Sequence, residues 1–153
     1  MILITFDPGE TTGWALGTYS DTEALEFKFG GQISGGVAGF CVFVSDESLE
    51  GELDDVIIVS ESFTLRPGVK MPNLTPIRIE GAMTALLGDG TVVYQQPSAK
   101  GLVPDATMKR LGLWLPGQRH QMDARIHAMA YMMKMGHLPT LTKYFPEQVV
   151  DDD

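Results

Sequence analysis

The sequence of 153 residues is poor in cysteine, in positive charge and in long hydrophobic runs. Its single cysteine, Cys41, excludes a disulfide within the chain, so we expect a reducing, cytoplasmic location. No apolar run approaches the roughly 20 residues of a membrane-spanning helix, and no signal peptide precedes the first predicted strand, so no membrane partner is expected. The length and the 44% hydrophobic content suffice for one domain with its own core.

The scarcity of basic residues argues at first against a nucleic-acid partner, because the net charge is −9 at pH 7. The charge is unevenly distributed, however. Residues 1–61 include 12 acidic residues and one basic residue, whereas residues 62–143 include 10 basic and four acidic ones. Such blocks are most often solvated surface. The basic second half nevertheless leaves room for a face that binds phosphates.

Two short, β-prone apolar runs each end in a carboxylate. Residues 2–6 predict a buried strand that leads into Asp7 at a turn signal, and residues 55–60 predict a second strand that leads into Glu61. Neighbouring parallel strands would bring both side chains to one sheet edge, where sites of α/β proteins form. The alternative at each position is an ordinary turn or strand-end acid.

The remaining patterns predict a mixed α/β order. Strands at 12–16 and 24–29 complete an antiparallel meander with the first strand, and glycines from residue 30 to 36 indicate a loop. A helix is expected at about residues 37–44, although residues 40–44 could equally be a strand, and an acidic loop over 50–55 follows it. The strand over 55–60, which leads into Glu61, comes next, and then a mobile basic loop over 62–74. A second helix over 75–87 and a third buried strand over 91–95 complete this part of the chain. Short helical pieces are expected over 97–117.

The last predicted helix, over about residues 118–135, carries polar side chains beside its core stripe. At about 100° per residue, His120, Asp123 and His127 fall within an arc of roughly 60°. Asp123 could be only an exposed first-turn acid, and each histidine only a satisfied, partly buried side chain. We prefer that second interpretation for His127. Residues 1–146 are expected to form one domain, and the acidic residues 147–153 a disordered tail.

Four separated residues together indicate a metal site: Asp7, Glu61, His120 and Asp123. Three carboxylates and an imidazole are too many hard ligands to bury without a cation. Carboxylate oxygens suit Mg²⁺ and Mn²⁺. Two such ions about 4 Å apart can clamp the attacking and leaving oxygens of a phosphodiester.

The segments ITFDPGETTGWA, VIIVSESF and RHQMDARIHAMA resemble the ribonuclease H-like superfamily. Within it they are similar to RuvC-type Holliday junction resolvases, particularly compact phage-encoded forms, over nearly the whole chain. The resemblance implies a five-stranded mixed sheet, three antiparallel strands then two parallel ones, flanked by helices. It implies that Asp7, Glu61, His120 and Asp123 are the catalytic, metal-binding residues, with Mg²⁺ or Mn²⁺, two ions per site, as cofactor. For a phage protein the location would be the host cytoplasm.

The resemblance also implies a homodimer that makes paired symmetric nicks in a four-way DNA junction. The helix over residues 76–87 would supply much of the dimer contact, with Gly81 allowing close approach. Phe63 would wedge into the junction, or be only a strand-end core residue, and Lys100 would contact a phosphate. The full set of DNA-binding candidates is Phe63, Arg66, Lys70, Lys100, Lys109, Arg110 and Arg119.

Three other functions stay open from the sequence. A related nuclease could act on other branched DNA or on RNA–DNA hybrids, and a junction-binding module could lack catalysis. An actin-like phosphate-binding protein would share the Asp7-x-Gly9 hairpin, but that fold needs two such domains and the chain is too short.

Overall fold

The structure, a computed structural model, describes residues 1–46, 55–65 and 67–148. Five strands form one mixed sheet: β1 Ile2–Asp7, β2 Thr11–Thr18, β3 Glu26–Ser34, β4 Val56–Glu61 and β5 Val92–Gln95. Their spatial order is β3-β2-β1-β4-β5. The first three strands pair antiparallel, and β4 joins β1 and β5 in parallel. The predicted sheet, three antiparallel strands followed by two parallel ones, is confirmed.

Five α-helices accompany the sheet in the described residues: α1 Gly36–Val44, α2 Thr75–Leu87, α3 Asp105–Arg110, α4 Arg119–Lys134 and α5 Leu138–Tyr144. Two 3₁₀ segments, Pro97–Leu102 and Pro146–Gln148, complete the described secondary structure. None of the described helices combines the length and the hydropathy that a membrane crossing requires. Residues 50–54 of the acidic loop predicted over 50–55 and the tail after residue 148 lie outside the described residues, so the predicted domain boundary stays a prediction.

The sheet separates two hydrophobic cores. On one face, Leu3 of β1 and Val59 of β4 pack with the apolar side of α4, including Met122. On the other face, Phe6 packs with Phe40 of α1 and with α2. Side chains alternate between the two faces along a strand. Asp7 therefore follows Leu3 onto the α4 face of the sheet, and Glu61 follows Val59 onto the same face.

Strand β3 is longer than the sequence pattern predicted. The expected loop from Gly30 does not form, because Gly30 and Gly31 continue the ladder with β2. A Cβ at Gly30 would lie 2.5 Å from the side-chain amide nitrogen of Gln121, so this glycine makes room for a side chain of α4. Helix α5 was not predicted at all. Its residue Thr140 is buried and accepts a hydrogen bond from the backbone of Leu25 at 2.9 Å.

Candidate active site

Two parallel strands bring Asp7 and Glu61 together. The register of β1 and β4 pairs Phe6 with Ser60, so the residue that follows each stands at the same edge of the sheet. Both carboxylates face α4, as the alternation along the strands requires. Asp7 is buried and Glu61 is partly buried. The two are the acidic ends of the strands that the sequence predicted.

Helix α4 reaches this edge because Gly13 has no side chain. Gly13 pairs with Asp7 across the β1–β2 ladder. A Cβ at this position would lie 1.8 Å from the carbonyl oxygen of His120, a distance that no packing tolerates. The first turn of α4 is thus in contact with the sheet beside Asp7. The backbone amide of His120 also donates a 3.1 Å hydrogen bond to Gln32, which fixes this turn against β3.

The ammonium group of Lys100 stands between three carboxylates. Its Nζ lies 2.9 Å from Asp7 Oδ1, 2.8 Å from Glu61 Oε2 and 3.2 Å from Asp123 Oδ2. Lys100 belongs to the 3₁₀ segment after β5, which projects the side chain back to the strand ends. We call Asp7, Glu61 and Asp123 the carboxylate cluster. The structure brings these three residues together, as the sequence predicted.

One histidine of α4 is partly exposed beside Asp7, as the sequence predicted, and the other is buried against Glu61. His120 is 45% exposed, and its Nδ1 lies 3.7 Å from Asp7 Oδ2. His127 is fully buried, and its Nε2 lies 2.6 Å from Glu61 Oε2. The sequence favoured a satisfied, partly buried side chain at this position; His127 is instead fully buried and contacts the carboxylate cluster.

Burial and charge act differently on the three central groups. Burial raises the pKa of Asp7, an effect that the Lys100 charge opposes and the neighbouring acids strengthen. Burial also acts to raise the pKa of Glu61, but hydrogen bonds with His127 and Lys100 outweigh it, and the pKa is lowered. For Lys100, burial would lower the pKa, but the Asp7 charge and the hydrogen bonds to Glu61 and Asp7 raise it instead. The carboxylate cluster therefore stabilises the positive charge of Lys100.

The donor set fits a hard divalent cation. Asp7, Glu61 and His127 each offer one ligand atom, and these atoms all lie within 4.8 Å of one another. Asp123 adds a buried carboxylate at the same place. The position of the Lys100 ammonium shows that the carboxylates converge on a space where a cation is stabilised. Oxygen-rich sites of this kind favour Mg²⁺ or Mn²⁺ over softer metals.

The other predicted DNA-binding residues lie at various distances from the cluster. Arg119 is nearest, with Nη2 3.2 Å from Asp123 and Nη1 2.7 Å from Asp105. Lys109 covers the ring of Trp114, and Arg110 pairs with Glu147. Lys70 is exposed in the segment before α2, and Arg66 lies outside the described residues.

The backbone of Phe63 is held by a residue that the sequence did not single out. Its amide donates a short hydrogen bond to the carboxylate of Glu80 on α2. The Phe63 ring is partly buried beside a small cleft that Glu61 also lines. No spacing in the sequence connects Glu80 with Phe63, so only the packing of α2 on the strand ends reveals this contact.

The sheet order, the flanking helices and the acidic strand ends define a ribonuclease H-like α/β fold. Solved structures of RuvC share it. A Thermus thermophilus RuvC structure is similar with a TM-score of 0.62 and 16% identity, covering 90% of this chain and 98% of that one. A structure of T. thermophilus RuvC in complex with Holliday junction substrate gives 0.62 at 17% identity, with 90% and 98% covered. No family model and no curated protein sequence matches the chain. The chain therefore has a RuvC-type fold, as its resemblance implied.

Proposed function

We propose that this protein is a metal-dependent endonuclease that resolves four-way DNA junctions. One observation carries the proposal: three carboxylates from β1, β4 and α4 converge on the ammonium group of Lys100 at the edge of a RuvC-type sheet. The neighbour that was solved with a Holliday junction substrate supports the choice of DNA. The full set of carboxylates weighs against a module that binds junctions without cutting them.

Asp7, Glu61 and Asp123 would hold two Mg²⁺ or Mn²⁺ ions, with His120 as a fourth participant. Divalent ions would stabilise charge on the attacking and leaving oxygens of the phosphodiester. His120 is the most exposed member and faces Asp7, so it can either add a nitrogen ligand or accept a proton from the attacking water. The products would be a 3′-hydroxyl and a 5′-phosphate.

Basic side chains around the cluster would hold the DNA backbone. Lys100 is the nearest cation to the strand ends and would contact a phosphate beside the cut. Arg119 is next, and Lys70, Lys109 and Arg110 would add weaker contacts farther away. Arg66 is a further candidate for binding DNA. Phe63, whose amide Glu80 holds, would wedge into the junction and stack on a base at the branch point. Such contacts compensate locally for the acidic charge of the whole chain.

A homodimer would place two such sites on one junction. An exposed apolar line, formed by Leu74 just before α2 and Ile77 within it, lies on the same side of the helix as Gly81. Among the described residues, no atom outside this stretch of α2 lies within 4 Å of a Cβ built at Gly81, so this face has room to meet a second copy. Two sites related by a two-fold axis would nick two strands of like polarity.

The test is cleavage of a synthetic four-way junction in Mg²⁺ or Mn²⁺. Wild-type protein should produce paired symmetric nicks, and Asp7→Asn and Asp123→Asn should lose about 1,000-fold in rate, equivalent to about 4 kcal/mol of barrier. Asp89→Asn, at an exposed acid after α2, is the matched control and should cut normally. Equal rates for the wild type and both site variants would refute the assignment.

Parallel reactions on flaps, duplex DNA and RNA–DNA hybrids determine the substrate class. A junction resolvase should cut the four-way junction fastest. Faster cutting of flaps or hybrids would instead indicate a ribonuclease H-like nuclease of another specificity. Binding of the junction in a gel shift, without cleavage in either metal, would indicate a non-catalytic module.

A further inference from the structure

His127 is the one buried imidazole in contact with the carboxylate cluster among the described residues. It lies in the middle of α4, one turn after Asp123, and its side chain has no exposed surface. Its Nε2 lies 2.6 Å from Glu61 Oε2, and this oxygen also meets the Lys100 ammonium at 2.8 Å. The contact is within the short range of charge-assisted hydrogen bonds. His127 can therefore act in one of two ways: it can ligate a metal ion, or it can hold the Glu61 carboxylate in place.

The partners of the two ring nitrogens assign the tautomer. An ionised carboxylate can only accept hydrogen bonds, so Nε2 must carry the proton that the 2.6 Å contact needs. Nδ1 is buried and has no hydrogen-bond partner in the described part of the chain. The opposite neutral tautomer would set two lone pairs against each other at Nε2 and bury an unpaired N–H at Nδ1. With its proton donated to Glu61, Nε2 has no lone pair for a metal.

The backbone of His127 is fixed as firmly as its ring. Its carbonyl oxygen accepts a 2.9 Å hydrogen bond from the side-chain amide of Gln95. Gln95 is buried at the end of β5 and pairs with Glu61 in the β4–β5 ladder. The backbone carbonyl of Gln95 accepts a further bond, at 2.7 Å, from Ser62. The ends of β4 and β5 are therefore tied to the turn of α4 that holds the imidazole.

We propose that His127 is a positioning residue, whose Nε2–H holds the Glu61 carboxylate toward Asp7 and Asp123 without itself binding metal. The inference rests on the proposed metal-dependent function. A glutamate side chain loses considerable rotamer freedom when it is fixed. A hydrogen bond that fixes it before the metal arrives removes that cost from metal binding.

Three variants separate the donor from the bulk of the ring. His127→Met replaces the ring with an apolar side chain of similar length that has no hydrogen-bond donor. His127→Gln offers a side-chain amide N–H at a similar distance from the backbone. His137→Met is the matched control, because His137 bonds Thr140 and Ser20 in another part of the fold. Should His127→Met fail to fold, His127→Asn takes its place, since the shorter amide cannot reach Glu61.

The measurement is Mn²⁺ binding by titration calorimetry, with circular dichroism to verify folding in EDTA. His127→Met should bind Mn²⁺ about 10- to 100-fold more weakly than the wild type, the usual effect of losing a hydrogen bond to a metal ligand. His127→Gln should recover most of the affinity, and His137→Met should bind as the wild type does. Equal weakening by Met and Gln in folded proteins, or no weakening by Met, would overturn the proposal.

Pulsed electron paramagnetic resonance gives a second, independent test. With His120→Ala as background, the Mn²⁺-loaded protein should show no directly coordinated nitrogen, and a coordinated nitrogen would assign His127 as a ligand instead. Mn²⁺ binding without cleavage of any DNA would defeat the proposed nuclease and leave the positioning role standing. A wild-type protein that binds no Mn²⁺ at millimolar concentration would defeat both.

Discussion

The Nζ atom of Lys100 lies 2.9 Å from Oδ1 of Asp7, at a point where Glu61 and Asp123 also come within 3.2 Å of it. The ammonium group thus takes the place between the carboxylates that a divalent ion would need. The ammonium group and a divalent ion would bind the same carboxylate oxygens, and two positive charges this close to each other would repel strongly. We therefore expect the lysine and the metal to exclude each other, and the displaced ammonium group to become available to a DNA phosphate.

Lys100→Met should tighten Mn²⁺ binding and weaken the metal-free fold. Without the ammonium group no internal cation competes, and we expect the affinity to rise at least about 10-fold, or 1.4 kcal/mol. The same change removes the cation that the three carboxylates share, at a cost of about 2–3 kcal/mol of unfolding free energy, somewhat less than for a fully buried pair. Calorimetric titration and urea denaturation in EDTA measure the two effects. Lys109→Met is the control, and weaker Mn²⁺ binding by Lys100→Met would contradict the exchange.

Asp7→Asn should stabilise the metal-free protein at pH 7 while slowing cleavage as predicted above. The pKa of Asp7 is raised above its ordinary 3.8, chiefly by burial, so the stability that its protonated form contributes is complete below pH 3.8 and is lost as pH rises through the folded pKa. The ionised carboxylate therefore costs stability at neutral pH. Scanning calorimetry in EDTA should give a higher melting temperature for Asp7→Asn at pH 7, with the difference shrinking toward pH 4. A lower melting temperature at pH 7 would contradict the prediction.

Glu61→Gln should behave in the opposite way. Burial acts to raise the pKa of Glu61, but the hydrogen bonds with His127 and Lys100 hold it below 4.5. The ionised form thus contributes stability above pH 4.5, and this contribution disappears as pH falls through the folded pKa. The variant should be less stable than the wild type at pH 7 and lose less on acidification, as urea titrations from pH 7 to 3 would show. Equal stability of the two proteins at pH 7 would mean that the hydrogen bonds to Glu61 contribute nothing.

Much of this arrangement could be predicted from the sequence because it follows from local patterns. Buried runs ending in Asp7 and Glu61 require only that their strands be parallel neighbours, and the pleat then sends both acids to one face. The arc on α4 likewise placed Asp123 beside His127. The sequence pattern underestimates the length of β3 because a glycine such as Gly30 is typical of a loop. In the structure this glycine instead allows the side chain of Gln121 to approach the strand closely.

The centre of the site was harder to predict. The position of Lys100 depends on a 3₁₀ segment whose direction no periodicity reveals, and only the family resemblance suggested a role for it. His127 shared the arc of His120 and Asp123, which was a usable signal. Which histidine points inward depends on how α4 lies across β1 and β2, and Gly13 determines that packing.

Gly13→Ala should displace α4 and damage the site. The new methyl group would lie 1.8 Å from the carbonyl oxygen of His120, and this backbone atom cannot rotate away. We expect a loss of about 3 kcal/mol of unfolding free energy, at the upper end for overpacked cores, together with loss of Mn²⁺ binding. Gly101→Ala has open space around its Cβ and should keep both properties. Urea denaturation and titration calorimetry test this, and normal Mn²⁺ affinity in Gly13→Ala would show that α4 can shift without disturbing the cluster.

Gly81→Glu should separate the proposed dimer into folded monomers. In a two-fold interface each patch meets its own copy, so the change would bring two like charges together on the apolar line of Leu74 and Ile77. The dimer dissociation constant should rise at least about 100-fold, or 2.7 kcal/mol, as measured by sedimentation velocity. The subunit itself should not lose stability, because the position faces open space and glutamate favours a helix more than glycine does. Met135→Glu, at an exposed residue after α4, should leave the dimer intact. A wild-type protein that sediments as a monomer at tens of micromolar would refute the dimer. A Gly81→Glu variant that stays dimeric would place the contact between subunits elsewhere.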